Sequence, residues 1–452
     1  MPPCPSPCGD AAFGRPSTYP TGPVVNRRND IFLGGPRQYL LSVHEDQAQK
    51  RAVTSLMASS AVGHAGFIAA AAIIGLLAAE ITGRDLLAGL PAAAGTLGTA
   101  AAASPLALRA RRLGRRPALI LGYLVAIAGT VVIIVAGQLQ WFWLLILGMP
   151  VFGAANASNL QSRFAAADLA DDEKRARSIA LVVWVGTIGA VLGPSAAPWA
   201  NRIGIGLGME EWVSPLFLSI VGFALAAAIT SRFLRPDPLQ LAGGVDPDTP
   251  FENPLRGLGR SWRAIWPRPL ARLAVTAMAV SQMAMVAVMT MTPLHMRDHG
   301  HADLSTLVIS VHVLGMYGLA PVLGRWADRF GRVRMLIVGA GVLALGTVTA
   351  VVAGYVPGLV FVGLFLLGLG WSFALIAGSA LLTESLPIEE RPGAQGLSDV
   401  AMSVLAATAA FSSGFVKEMV GYHWLANFAT LAAILTLAAA GAVSRSQTRV
   451  AV

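Results

Sequence analysis

Twelve apolar runs of bilayer-spanning length take up almost the whole chain, and no other property limits its folding as strongly. They fall at residues 53–80, 86–108, 118–138, 141–166, 178–200 and 213–234, and again at 270–296, 304–323, 335–354, 357–383, 396–416 and 421–444. A helix needs ~20 apolar residues to cross the hydrocarbon layer. Inside that layer each backbone polar group must be satisfied within its own segment, so single apolar runs fold as helices. The composition agrees: 55% of the 452 residues are hydrophobic and only 13% charged, with mean hydropathy +0.63. An ordinary soluble domain has about 25% charged residues. The sequence therefore predicts an all-α membrane protein with twelve transmembrane helices and excludes a water-soluble enzyme.

The net charge of +9 and pI near 10.2 would suggest nucleic acid in a soluble protein. Here the basic residues report topology instead. The loops on one side hold only Arg84, Arg202, Arg297 and Lys417, and Arg163 falls inside a run, which leaves 28 of the 33 on the other side. That side includes Arg109, Arg111, Arg112, Arg115 and Arg116 in one loop, and Arg325, Arg329, Arg332 and Arg334 in another. Basic loops face the cytoplasm, so both termini are expected there, in a multi-pass protein of the cell (inner or plasma) membrane.

The spans divide the chain into a disordered N-terminal tail (1–52), a six-helix bundle (53–234), a cytoplasmic linker (235–269), a second six-helix bundle (270–444) and a short tail (445–452). The start of the chain, rich in Pro and Gly, lacks the apolar h-region of a signal peptide. Its Cys4 and Cys8 are the only cysteines, so no disulfide framework supports the fold. In the linker, Arg256, Arg260 and Arg263 alternate with Trp262, Ile265 and Trp266, a pattern that suits either a helix on the inner membrane surface or a solvated connection.

The two bundles repeat each other at one offset, 217 residues. Gly114-Arg-Arg-Pro-Ala-Leu-Ile-Leu-Gly122 aligns with Gly331-Arg-Val-Arg-Met-Leu-Ile-Val-Gly339, and Leu169-Ala-Asp-Asp-Glu-Lys174 with Leu386-Pro-Ile-Glu-Glu-Arg391. Two unrelated loops in one register imply duplication of a six-span unit, an arrangement typical of secondary transporters that bind substrate between their halves.

In this the chain resembles the major facilitator superfamily. Gly324-Arg-Trp-Ala-Asp328-Arg329-Phe-Gly331-Arg332 matches that family's Gly-x-x-x-Asp-Arg-x-Gly-Arg loop between spans eight and nine. Glycine permits the tight turn, and Asp328 can pair with an arginine or cap a helix end. The resemblance implies two pseudo-symmetric six-helix bundles, latched by such loops on the cytoplasmic side. In the first copy, position 107 is Ala rather than Gly, and Arg111 stands where Asp328 would map. Gating in that half is therefore expected to depend on Arg115, Arg163, Asp171, Asp172 and Glu173. Span five carries Gly186-Thr-Ile-Gly189-Ala-Val-Leu-Gly193-Pro194. Its spacing allows close helix approach and resembles the Gly-x-x-x-Gly-Pro element of drug–proton antiporters. Ala197 and Pro198 depart from that element, and the arginine those antiporters carry in span four would map to Met149.

Polar groups at membrane depth are costly, and so are functional candidates: His64, Asn156, Asn159, Arg163, Gln282 and His312. Arg163, near the end of its span, is expected in an interfacial ion pair. Span seven is rich in methionine, with Met285 and Met289 one helical turn apart, and span eight carries His312 and Met316 at the same spacing. In a straight antiparallel hairpin Met289 would lie level with His312, and Met285 with Met316 one turn deeper. Thioether and imidazole ligands suit Cu(I), and the pattern resembles the CcoA-like copper importers of the same superfamily. That resemblance implies Met285, Met289, His312 and Met316 as metal ligands, with Met291, His295, His299 and His301 gathering metal near the outer mouth. Methionine also fills gaps at moving helix interfaces without binding anything.

The sequence thus predicts a secondary transporter working by alternating access, with copper or another soft metal ion as imported substrate; the alternative is proton-coupled efflux of hydrophobic or cationic compounds. A non-transporting sensor is a third class. No resident cofactor and no nucleic-acid partner are expected. The expected partners are a small-molecule or metal-ion substrate, the bilayer and a coupling proton, with the protein as a monomer. Without an acidic residue deep in a span, coupling would fall to His64 or His312.

Overall fold

The computed structural model describes residues 36–84, 87, 89–249, 252–353 and 356–450. Cys4 and Cys8 lie outside the described residues. Residues 1–44 and 45–452 form separate units; of the first, residues 36–44 are helical, and everything below concerns the second.

Among the described residues the regular structure is entirely helical. The N-terminal half contains α1 (Pro36–Thr82), α2 (Leu90–Leu113), α3 (Arg115–Gln138), α4 (Phe142–Phe152), α5 (Ala154–Ala165), α6 (Arg175–Gly206) and α7 (Phe217–Phe233). Two short helices, α8 (Pro238–Leu241) and α9 (Pro254–Ile265), follow in the connection. The second half contains α10 (Pro269–Asp298), α11 (Ser305–Val313), α12 (Ala320–Phe330), α13 (Arg332–Val352), α14 (Pro357–Glu384), α15 (Arg391–Val420) and α16 (Tyr422–Val450). Helices α4 and α5 together make one span, and α11 and α12 another, joined by a π-helical turn at Leu314–Gly318.

Eleven segments among the described residues are long and apolar enough to cross a membrane. The twelfth, α2, has the length (24 residues), but more than half of it is alanine, glycine and threonine and its last turns carry Arg109, Arg111 and Arg112. Its small side chains let it approach α4 until a Cβ at Gly98 would overlap the backbone of Pro150. Close packing of small residues thus takes the place of greasy bulk.

The repeat is visible as geometry. Gly114 and Gly331, 217 residues apart, both adopt positive φ (100° and 94°), and each donates its N–H to the carbonyl four residues back, Ala110 or Ala327. A left-handed residue just past a helix end is strained unless it is glycine, so the two tight turns are written into the sequence at equivalent places.

At its ends the chain is more helical than the sequence predicts. The first span takes in residues from Asp46, before the expected start at 53, and Gln49 is already tied to Ala166 O (2.8 Å) and Ser178 Oγ (3.2 Å). The last helix continues past 444 to Val450. Between the halves, Asn253 caps α9 by accepting from the N–H of Leu255 (2.9 Å). One side of α9 packs on α2 and α15, with Gly257 against Leu108 and Ser261 against Gly393. Its opposite side exposes Trp262, which stacks on Trp266 at 5.1 Å.

One apolar core lies within the first half, and a larger one, built mainly from the second half, also takes in Phe164, Ile179 and Val183 of the first, while many large apolar side chains face outward, as a bilayer-facing surface requires. Exposed tryptophans mark both ends. Trp262, Trp266 and Trp326 lie at the arginine-rich end, called the basic end below, and Trp143, Trp199, Trp212 and Trp424 at the far end.

Candidate functional site

Three places hold the residues singled out in the sequence: a polar cluster at the basic end, a cavity between the halves, and the Met/His segment of α10–α12.

At the basic end, α6 starts at Arg175, which leaves its first N–H groups without partners in the helix. Asp328, at the end of α12 in the other half, accepts from the N–H of Ala176 (3.0 Å) and Arg177 (2.9 Å). Its carboxylate therefore caps a helix of the opposite half, where the helix dipole favours negative charge. Arg332, one turn further on, pairs with Asp328 (3.0 Å) and Glu384 (2.8 Å) and donates to the carbonyl of Asp172. Arg175 pairs with Asp172 (2.5 Å) and approaches Glu384 (3.6 Å). Gly324 lets α12 reach α6, since a Cβ there would strike Ala180 and Arg177. Of the other residues expected in the gate, Arg329 is exposed and lies over the Phe330 ring, Asp171 holds only a surface pair with Lys174, and Glu173 is exposed and outside the network.

Arg115 in the first half corresponds to Arg332. It binds Asp168 with two hydrogen bonds (2.7 and 3.1 Å) and reaches Gln395 of the other half (2.5 Å), the whole group buried. Burial pushes the Asp168 carboxyl up, against the pull of the Arg115 guanidinium beside it. Arg111, in the place of Asp328, offers no capping oxygen; its backbone carbonyl instead accepts from Asp246 of the linker (3.0 Å).

Between the halves is a cavity of about 290 Å3, with His64, Asn156, Asn159, Arg163, Gln282, Met285, Met316, Tyr317 and Trp371 in its wall. Several of these polar groups are already fixed. His64 Nδ1 bonds Ser60 O (2.9 Å), Tyr123 donates to Asn159 (2.8 Å), and Trp371 donates to Gln282 (2.6 Å) while meeting Tyr317 edge-on at 5.7 Å. Arg163 is not interfacial as expected. It is 2% exposed and paired with Asp399 of α15 at 2.7 Å, which ties the halves together. Its remaining donors bond Ser379 Oγ (3.0 Å) and Leu160 O (2.6 Å). Asp399 Oδ2 is buried with no partner among the described residues.

Asp399 is a functional candidate that the sequence reading lacks: it lies near the start of its span rather than deep within it, yet it is fully buried. It sits only three residues inside the predicted start of span eleven, where an acid reads as the last residue of a loop. Ser379, Gln395 and Glu384 went unnoticed for a related reason, since only tertiary packing brings them to the arginines.

The methionine–histidine ladder does not assemble as a straight hairpin would have it. His312 is fully buried, with Nδ1 on Leu364 O of α14 (2.7 Å), and α11 packs against α14, where a Cβ at Gly368 would meet the backbone of His312 and Met316. The π turn at Leu314–Gly318, which contains Met316, also alters the one-face spacing. Met285 and Met316 reach the cavity wall; His312 and Met289 are not part of it, and Met291 is buried in the core of the second half. His295 and His299 lie ring to ring (4.3 Å) near the end of α10. In span five, Gly189 and Gly193 let α6 press against His64 and Ala65 of α1. Among the described residues no group of three or more His, Cys, Asp or Glu could hold a metal.

The sequence profile of the Major Facilitator Superfamily matches residues 56–309 and 280–449. The chain belongs to the Major Facilitator Superfamily. It is a membrane transporter of that superfamily rather than an enzyme. Its relatives include the uncharacterized MFS-type transporter YdeG of Bacillus subtilis (strain 168), 33% identical over 90% of this chain and 95% of the relative. The riboflavin transporter RfnT of Brucella anthropi is 29% identical over 84% and 92%. Among solved structures, a bacterial homologue of the iron transporter ferroportin in an outward-facing state superimposes with TM-score 0.67 at 13% identity, over 87% of this chain and 99% of that one; this shows the shared fold. These relatives lend no support to the copper-importer resemblance of spans seven and eight, nor to the antiporter element of span five. Within this superfamily member, the cross-half contacts described above gather at the basic end.

Proposed function

We propose that this transporter carries a planar, uncharged heteroaromatic solute, of the chemical class to which riboflavin belongs, and couples its movement to a proton at Asp399. The observation that carries the reading is the make-up of the central cavity. Phe67, Tyr317 and Trp371 offer ring faces, Gln282 and Asn156 offer amide donors and acceptors, and Arg163 in the same wall is paired with Asp399 behind it. A cavity of about 290 Å3 lies near the lower limit of ordinary ligand pockets, which suits a solute held closely. The relationship to a riboflavin transporter along most of the chain supports the same class.

In this reading the basic end faces the cytoplasm, following the distribution of arginine, and both termini lie there. Protonation of Asp399 at its unpartnered oxygen would cancel the attraction that holds Arg163, and so favour separation of the halves at that end. Copper import is the second reading. Met285 and Met316 in the cavity wall favour it, whereas the hydrogen bond that engages His312 with α14 weighs against it.

Proteoliposomes containing the full chain, with an imposed pH gradient, separate the two readings. The solute reading expects labelled riboflavin or a smaller flavin to accumulate above the level of empty vesicles, and Asp399→Asn to cut gradient-driven uptake at least about tenfold, equivalent to 1.4 kcal/mol of coupling. Accumulation of copper-64 with no flavin movement would replace it with the copper reading.

A further inference from the structure

On the outer flank of the first half, at the basic end, a groove of about 650 Å3 runs between the end of α2, the start of α3 and the connection after α7. Three arginines line it, Arg109, Arg116 and Arg235, and none pairs with a carboxylate among the described residues. Arg116 and Arg235 are held alike, each donating from Nε to the one carbonyl of Ser231 (3.0 and 3.1 Å), so their two guanidiniums start from a common anchor. Arg109 Nε is buried and has no hydrogen-bond partner. A buried donor left unmatched is costly, and a guanidinium fork fits phosphate oxygens better than any other common group.

One carboxylate, that of Asp237, also lines the groove. It is buried and already accepts from the N–H groups of Arg116 (2.7 Å), Leu239 (3.0 Å) and Gln240 (3.3 Å), so it serves as a cap for the starts of α3 and α8. In the adjoining groove, which shares Arg109, Glu252 is likewise engaged, with Arg260 (2.6 Å). The wall that continues away from the arginines is apolar: Pro117, Ile120 and Leu121, then Leu124, which is exposed to the bilayer side of α3. Leu124 lies eight residues beyond Arg116, about 12 Å along the helix axis. The groove thus passes from a cluster of guanidiniums at headgroup depth to a lipid-facing apolar strip.

We propose that this groove binds an anionic phospholipid of the leaflet at the basic end, its headgroup phosphate between Arg109, Arg116 and Arg235 and an acyl chain along the α3 strip. Positive side chains at the membrane surface attract anionic lipid in general. What distinguishes this place is the shared anchor, the unmatched Arg109 donor and an apolar wall in one groove. Its occupancy does not depend on which solute the central cavity carries.

The test is a thermal melt of the purified full chain in a neutral detergent, titrated with dioleoylphosphatidylglycerol, dioleoylphosphatidylcholine or inorganic phosphate. The expected result is a saturable rise in Tm of about 2–4 °C with phosphatidylglycerol alone, cut to less than half in Arg109→Gln/Arg235→Gln. An equal rise with phosphatidylcholine would overturn the proposal by showing that apolar contact suffices. Inorganic phosphate matching the lipid would overturn it in favour of a free-anion site, and an undiminished response in the variant would remove the arginines from it. If that variant does not fold, Arg109→Lys/Arg235→Lys keeps the charge without the fork and is expected to show a weakened response, while the three-ligand comparison on the unaltered chain decides independently.

Discussion

The two copies of the loop that joins the second and third spans of each half began as equivalents and now work differently. In the second half, Asp328 reaches across to α6 and Arg332 shares Glu384 with Arg175 of that helix; the side chains of Asp328, Arg332 and Glu384 remain 9%, 10% and 25% exposed. In the first half, Arg115 and Asp168 lie in a dry interior, 1% and 0% exposed, and Arg111 has replaced the capping acid. The linker has taken over the missing tie: Asp237 caps α3, Asp246 bonds Arg111, and α9 packs over the α2–α15 contact. A charge network that water can reach is easily broken and remade, whereas a buried pair is costly to leave half-satisfied. The second-half loop therefore has the character of a release, and the first-half loop that of a fixture.

Four substitutions set this contrast at risk. The largest effect is expected for Asp168→Ala, which strands the buried Arg115 guanidinium and should cost about 3–5 kcal/mol; Glu384→Ala, its counterpart on Arg332, should cost about 1 kcal/mol because Asp328 remains. Thermal melts of the two variants that coincide would erase the distinction. Next comes Asp328→Asn. It removes the charge from two hydrogen bonds to α6 and should move the balance between open and closed basic ends by about 1–3 kcal/mol, a 5- to 150-fold change in population. Spin-label distances across α6 and α12 would measure it, and an unchanged distribution would show that Asp328 only stiffens the loop. The smallest effect belongs to Arg111→Asp, which restores the acid to the first-half loop. A small loss in Tm is expected, because Asp246 then faces a like charge. A gain would mean that this loop lacks nothing but its acid.

Much of the fold can be read from the sequence because the bilayer imposes a length on each helix and the duplication imposes a register. Gly114 and Gly331 are examples, since a residue type with one conformational use recurs at one offset. The site is less legible, for reasons that differ from residue to residue. Asp399 is hidden because its burial is created by Arg163, 236 residues away, and nothing local marks it. The register of the Met/His ladder is altered by a single π turn, and hydropathy carries no trace of such a turn. Arg115 is legible through its register with Arg332, but its partner Asp168 comes from a different loop.

The Arg163–Asp399 pair has one more consequence. As a couple it is neutral, so the cavity that Arg163 borders meets a guanidinium whose charge is balanced by Asp399 behind it. If one proton on Asp399 accompanies one uncharged molecule through the cycle, each turnover transfers a single elementary charge. That charge gains about 2.3 kcal/mol for every 100 mV across the bilayer. Transport would then register as an electrical current, steepened by membrane potential as well as by the pH difference, even though the cargo itself carries no charge.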